Sequence, residues 1–128
     1  MTAQLLLTYA MYCANILVAG WISISSLFYP KIAYRTVFQE QFVYSESIRL
    51  VGALWFAIFL LSLVGLWRPE PMRWVFLFQF IYKGSWLLFA ALPAMQRGEP
   101  YPTGMASTFV VWVVILPFVI PWKTLWTG

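Results

Sequence analysis

Histidine and aspartate are missing from this chain, and cysteine occurs once, at Cys13. Haem, iron–sulfur and zinc sites draw on sets of His and Cys ligands, so one copy cannot build them. A lone cysteine forms no intrachain disulfide, which excludes four-helix redox enzymes that work through cysteine pairs. Ser–His–Asp and Cys–His constellations cannot be assembled either. Charge is scarce as well, at 9% of residues, and the only carboxylate side chains are Glu40, Glu46, Glu70 and Glu99. None of the four is central in an apolar run. Most instruments of enzymatic chemistry are therefore absent.

What is present is apolar and aromatic surface. Of 128 residues, 62% are hydrophobic and 20% aromatic, with a mean hydropathy of +0.79. A soluble domain of this size could not bury so much apolar surface while offering water so few charges. The composition predicts an integral, multi-pass membrane protein, all-α, with residues 1–128 forming a single domain. Its formal charge of +4 comes from eight Lys and Arg scattered singly along the chain. A nucleic-acid footprint would cluster them on one face, so no nucleic-acid partner is expected.

Four apolar runs predict spans at about residues 5–28, 45–67, 74–92 and 105–122. Together they make an antiparallel four-helix transmembrane bundle with both termini on one side. The first run exceeds a signal-peptide core and lacks a basic leader, so it reads as a retained span. Thr8, Tyr12, Asn15, Ala19 and Ser23 recur along it at steps of three or four, one helical face. Ala10 with Ala14, Ala19 with Ser23, and Ala53 with Ala57 offer small-residue seams for close helix approach. Cys13 reads as a small buried hydrophobe.

Pro30 ends the first span, and residues 29–45, aromatic and mixed in charge, suit a segment lying in the interface or capping the bundle. A second span entered as early as Phe42 lets Glu46 and Arg49, three apart, pair near the membrane edge. The RPEPMR turn (68–73) carries two prolines that oppose helix, and Trp67 and Trp74 flank it as an aromatic belt. Pro93 is expected to end the third span and Pro117 to kink the fourth. Trp122, Lys123 and Trp126 then form an interface anchor.

The third run is the unusual one. WVFLFQFIYKGSWLLFAAL (74–92) places Lys83 at its middle. A central Lys costs roughly 2.5–3.5 kcal/mol of insertion, while each Leu, Ile, Phe or Val returns about 0.3–0.6. The ten such residues here return roughly 3–6 kcal/mol. The segment inserts with little to spare, so other helices are expected to shelter the lysine. An intramembrane ionisable residue is a functional-site hypothesis by default.

Helical rise places side chains by depth from the RPEPMR side. At about 1.5 Å per residue, Lys83 lies about 13 Å in, Asn15 and Trp112 about 15 Å, and Trp55 and Trp86 about 18 Å. Each helix thus brings a polar or indole group to one layer near the midplane. Gln79, Lys83, Trp86 and Ala90 share one face of the third helix. A charged ammonium there needs acceptors: Glu46 is the nearest carboxylate by depth, Asn15, Tyr12 and Tyr82 offer oxygens, and an indole face adds a cation–π contact of up to about 2 kcal/mol.

The candidate ligand-binding residues are Lys83, Gln79, Trp86, Asn15, Tyr12, Trp55, Trp112, Glu46 and Arg49. They outline a midplane pocket for a hydrophobic or anionic small molecule, such as a quinone or lipid, that the protein binds or transports. The alternative is an accessory or scaffolding subunit of a larger membrane complex, with Lys83 as interhelical glue and no chemistry of its own. A lipid- or quinone-directed enzyme using Glu46 and Lys83 as acid and base is the weakest of the three. No catalytic residue, metal or cofactor is assigned, although a bound quinone or lipid fits. The bilayer is the first partner, with a hydrophobic small molecule or another membrane subunit as the second, and homo-oligomers are open. Small multidrug transporters have a similar length and span number but carry a buried Glu in their first span, which this chain lacks.

Overall fold

A computed structural model describes residues 2–37 and 47–127. All regular structure among the described residues is helical. Helix α1, Ala3–Phe28, begins where Thr2 caps it, its Oγ1 accepting the Leu5 N–H at 3.1 Å. This satisfies one of the first-turn donors that a helix leaves open. Tyr29 breaks the rod, and Pro30, at the first position of helix α2 (Pro30–Thr36), starts a short return element. A proline is tolerated there because its missing N–H would have had no intrahelical partner. Helix α3, Ser47–Trp67, follows. The Glu46–Arg49 pairing and the early start near Phe42 lie outside the described residues.

The prolines of the RPEPMR turn do not exclude helix, since Pro71–Arg73 form a single 3₁₀ turn that leads directly into α4, Trp74–Trp86. Pro71 is accommodated for the same reason as Pro30. Pro93 does not end this rod. A π turn at Leu87–Ala91 carries α4 into α5, Leu92–Arg97, and Pro93 falls within the first turn of α5. The Leu92 N–H bonds back to Leu87 O. Widening the helix one turn before the proline is a usual way to absorb the ring and the missing donor. The stop is at Gly98, whose φ of 70° places it in the left-handed region. Glu99 N–H donates to Ala94 O at 2.8 Å and Gly98 N–H to Met95 O at 3.3 Å, a glycine-terminated helix end.

Helix α6, Thr103–Ile115, ends in a 3₁₀ turn at Leu116–Phe118, earlier than the predicted residue 122. Pro117 and Pro121 each remove a donor, and Trp122–Thr127 form a separate short helix, α7. Three side chains occupy the carbonyls around this break. Trp122 Nε1 donates to Pro117 O at 2.8 Å, Gln4 Nε2 to Phe118 O at 3.4 Å and Arg73 Nε to Val119 O at 2.9 Å. Arg73, buried, also donates to Glu70 at 3.1 Å. The helix end, the turn and the start of α1 are thereby tied together.

Three rods are long and apolar enough to cross a membrane: Ala3–Phe28, Ile48–Trp67 and Pro71–Arg97. A fourth apolar helix, Thr103–Phe118, is shorter. The distribution of side chains is inverted relative to a water-soluble protein. Leu17, Trp21, Leu50, Leu54, Phe89 and Val114 face outward, whereas Thr8, Asn15, Ser23, Ser26, Ser62, Gln79 and Lys83 are buried. That is the arrangement a hydrocarbon solvent favours.

The polar face predicted on α1 is buried throughout, from Thr8 to Ser23. Of the predicted seams, Ala19 with Ser23 is buried, but the other two need correction. Ala10, Ala53, Ala57 and Cys13 face outward, and the tight α1–α3 contact runs through glycines instead. A Cβ placed on Gly52 would lie 2.5 Å from Ser26 Cβ and 3.2 Å from Leu27 N, and one on Gly20 3.1 Å from the Phe59 ring. Gly65 lies directly against the Tyr12 ring, with no room for a side chain. Where a neighbouring backbone or ring comes this close, only a residue without Cβ fits.

Candidate functional site: a buried polar layer around Lys83

Three helices contribute one hydrogen-bonded cluster. Asn15 from α1 and Gln79 from α4 bond reciprocally: Asn15 Nδ2 donates to Gln79 Oε1 at 2.7 Å, and Gln79 Nε2 donates to Asn15 Oδ1 at 3.1 Å. Trp112 of α6 donates its Nε1–H to the same Asn15 oxygen at 2.9 Å. An amide oxygen has two acceptor sites, so Asn15 Oδ1 is saturated. Beside this cluster Trp55 of α3 donates its indole N–H to the Tyr82 hydroxyl at 2.8 Å. All four apolar helices, α1, α3, α4 and α6, therefore meet in one layer.

Lys83 lies one turn beyond Gln79 on α4 and is only 4% exposed. Its Nζ lies 4.0 Å from the Phe109 ring centroid, 4.9 Å from Tyr82 and 5.6 Å from Trp112. Ring faces carry negative potential, and three within about 6 Å stabilise an ammonium. Among the described residues no hydrogen bond or ion pair reaches Nζ; the two ion pairs found, Arg73–Glu70 and Arg97–Glu99, are elsewhere. The space next to Lys83, enclosed by Asn15, Gln79, Trp55 and Trp112, is about 10 Å³. This is about the volume one water centre needs.

A much larger cavity of about 300 Å³ adjoins this layer. It is walled by Val51, Leu54 and Trp55 of α3, Phe78, Tyr82 and Trp86 of α4, and Phe109 of α6. Its lining is aliphatic and aromatic. Trp55, Tyr82 and Phe109 separate it from Lys83. Trp86 packs edge-on to Phe109 with centroids 5.3 Å apart, as does Trp55 at 6.4 Å.

Of the residues singled out by sequence, Asn15, Lys83, Trp55 and Trp112 come together in the layer given by their depths, and Gln79 joins them from the Lys83 face of α4 although its depth places it a turn nearer the RPEPMR end. Trp86 faces the neighbouring apolar cavity. The face shared with Gln79 and Lys83 does not continue to Ala90, which is exposed, but to the buried Ala91, because the π turn inserts one extra residue. Tyr12 belongs to another layer: its hydroxyl donates to Pro69 O at 2.7 Å, and its ring packs on Phe76 at 4.7 Å. Arg49 donates from Nε to Leu27 O at 3.2 Å, at the C-terminal end of α1, where a cation complements the free carbonyls. Glu46 lies outside the described residues. Tyr82 accepts from Trp55 rather than from Lys83. Phe109, which the sequence reading passes over, is the ring nearest the ammonium. Its one signal is position, three residues before Trp112 on the same helical face.

No family model, curated protein or solved structure matches the chain.

Proposed function

We propose that the chain is a four-span membrane protein, termini on one side, that binds or transports a hydrophobic or anionic small molecule near the bilayer midplane, with Lys83 as its polar anchor. The observation that carries this reading is a lysine 4% exposed, ringed by aromatic faces and without an acid partner among the described residues. A cation at that depth is costly, and such residues generally mark ligand or ion sites. The adjoining cavity of about 300 Å³ is at the lower end of the range for small-molecule pockets. Native mass spectrometry from mild detergent tests the idea. The wild-type protein is expected to carry a bound small molecule that Lys83→Met loses, with circular dichroism unchanged. No bound molecule, together with a Lys83→Met variant that matches wild type in every binding assay, sinks the proposal.

A second reading, the accessory subunit of a larger membrane complex, is favoured by one observation. The space at Lys83 is only about 10 Å³, so the protein's own side chains already fill the layer. Under that reading the same spectra show a co-purifying protein partner instead of a small molecule.

A further inference from the structure

Apolar cavity and ammonium are neighbours divided by aromatic rings, of which Phe109 is the nearest to the ammonium. Phe109 lines the cavity and is also the ring closest to Lys83 Nζ, at 4.0 Å. The cavity mouth lies on the outer surface of the bundle, since Leu54 and Phe78 on its rim are 55% and 51% exposed. In a bilayer that mouth opens sideways to lipid, not to water.

We infer that the ligand is a single-chain amphiphile with a carboxylate headgroup, a long-chain fatty acid in chemical class, which enters between α3 and α4. Its chain occupies the cavity, and its carboxylate displaces the Phe109 ring from Lys83. This rests on the proposed function above and specifies its ligand and route. Charge complementarity selects the headgroup, because a buried ammonium without an acid partner among the described residues gains most from an anion. Size and desolvation select its kind. A phosphodiester lipid would carry its glycerol esters and headgroup into an apolar layer, and each polar atom left without a partner there is costly. A carboxylate brings two oxygens and nothing more. A quinone carbonyl can accept a hydrogen bond but leaves the ammonium's charge uncompensated.

Quenching of tryptophan fluorescence by dibrominated chains tests this in phosphatidylcholine nanodiscs, because Trp55 and Trp86 wall the cavity. Dibromostearic acid is expected to quench saturably above the linear bilayer background, and Trp86→Phe removes a large part of the saturable signal. Dibromostearyl alcohol, with the same chain and no charge, should bind roughly tenfold or more weakly. In Lys83→Met the acid and alcohol should become equal, and Val51→Phe/Leu54→Phe, which fills the cavity, should abolish saturable quenching by both. Equal binding of acid and alcohol by the wild type overturns the inference, whether or not the filled variant folds. So does full retention of saturable quenching by a folded Val51→Phe/Leu54→Phe protein. A bound molecule sensitive to Lys83→Met in native mass spectra, without saturable quenching by the acid, leaves the proposed function standing and removes this ligand. Absence of both removes both.

Discussion

Asn15 has the most connections in the polar layer. Its side chain joins α1 to α4 through Gln79 and to α6 through Trp112, so one residue sets the mutual register of three helices. Asn15→Leu removes three hydrogen bonds and leaves Gln79 and the Trp112 indole N–H without that partner. Side-chain hydrogen bonds between membrane helices average about 0.6 kcal/mol and reach about 1.7. The expected loss is therefore about 1–3 kcal/mol in an SDS-unfolding equilibrium from bicelles. Trp112→Phe, which removes one of the three, should cost less than half as much. Equal stability of Asn15→Leu and wild type would mean the network is incidental. At this scale the sequence was informative about polar residues and silent about apolar ones. Asn15, Gln79, Lys83 and Trp112 stand out because hydrocarbon penalises them; depth aligns Asn15, Lys83 and Trp112, and the shared face of α4 adds Gln79. Phe109 is one apolar residue among many in its run, and Tyr12 shares a helical face with Asn15 but lies a turn too close to the RPEPMR end.

Helix pairs differ in how they are held. The α1–α3 contact is backbone-close at Gly52 and packs rings onto Gly20 and Gly65, while α3 and α4 are kept apart by the apolar cavity. Gly52→Leu should therefore force α1 and α3 apart, since even a Cβ at that position meets Ser26 and the Leu27 backbone. A loss of roughly 1–3 kcal/mol or more is expected by analogy with overpacked cores, read in the same unfolding assay. Gly84→Ala is the matched control. A Cβ there has nothing within 4 Å, and Ala is the better helix former by about 1 kcal/mol. It should be neutral or stabilising, and a destabilised Gly84→Ala protein would reveal a neighbour on that face. Helix existence was legible from apolar run length, whereas helix detail was not. Pro93 reads as a stop in sequence, yet the π turn before it lets the rod continue to Gly98. The seam on α3 lies at Gly52, part of a turn from Ala53, because alanines and glycines give similar patterns until backbone distance separates them.

For the whole molecule, the fourth apolar helix decides the topology. Thirteen α-helical residues and one 3₁₀ turn at Leu116–Phe118 rise about 25 Å, short of a hydrocarbon core of about 30 Å. The residues beyond Phe118, with Trp122 and Trp126 as interfacial rings, make up the difference if this helix spans. Positive charge does little to choose a direction. Arg68, Arg73 and Lys123 fall on the side of the RPEPMR turn in the four-span arrangement, against Lys31, Arg35, Arg49 and Arg97 on the other. So even a count leaves orientation sensitive to one or two added charges. Reporter fusions at the N- and C-termini should therefore always report the same side as each other. Met72→Lys combined with Glu70→Lys, which adds two positive charges to the turn, should shift both reporters toward the cytoplasm together. Opposite readings from the two termini would mean an odd number of crossings. The helix Thr103–Phe118 would then lie along the interface, and only the three long rods would span.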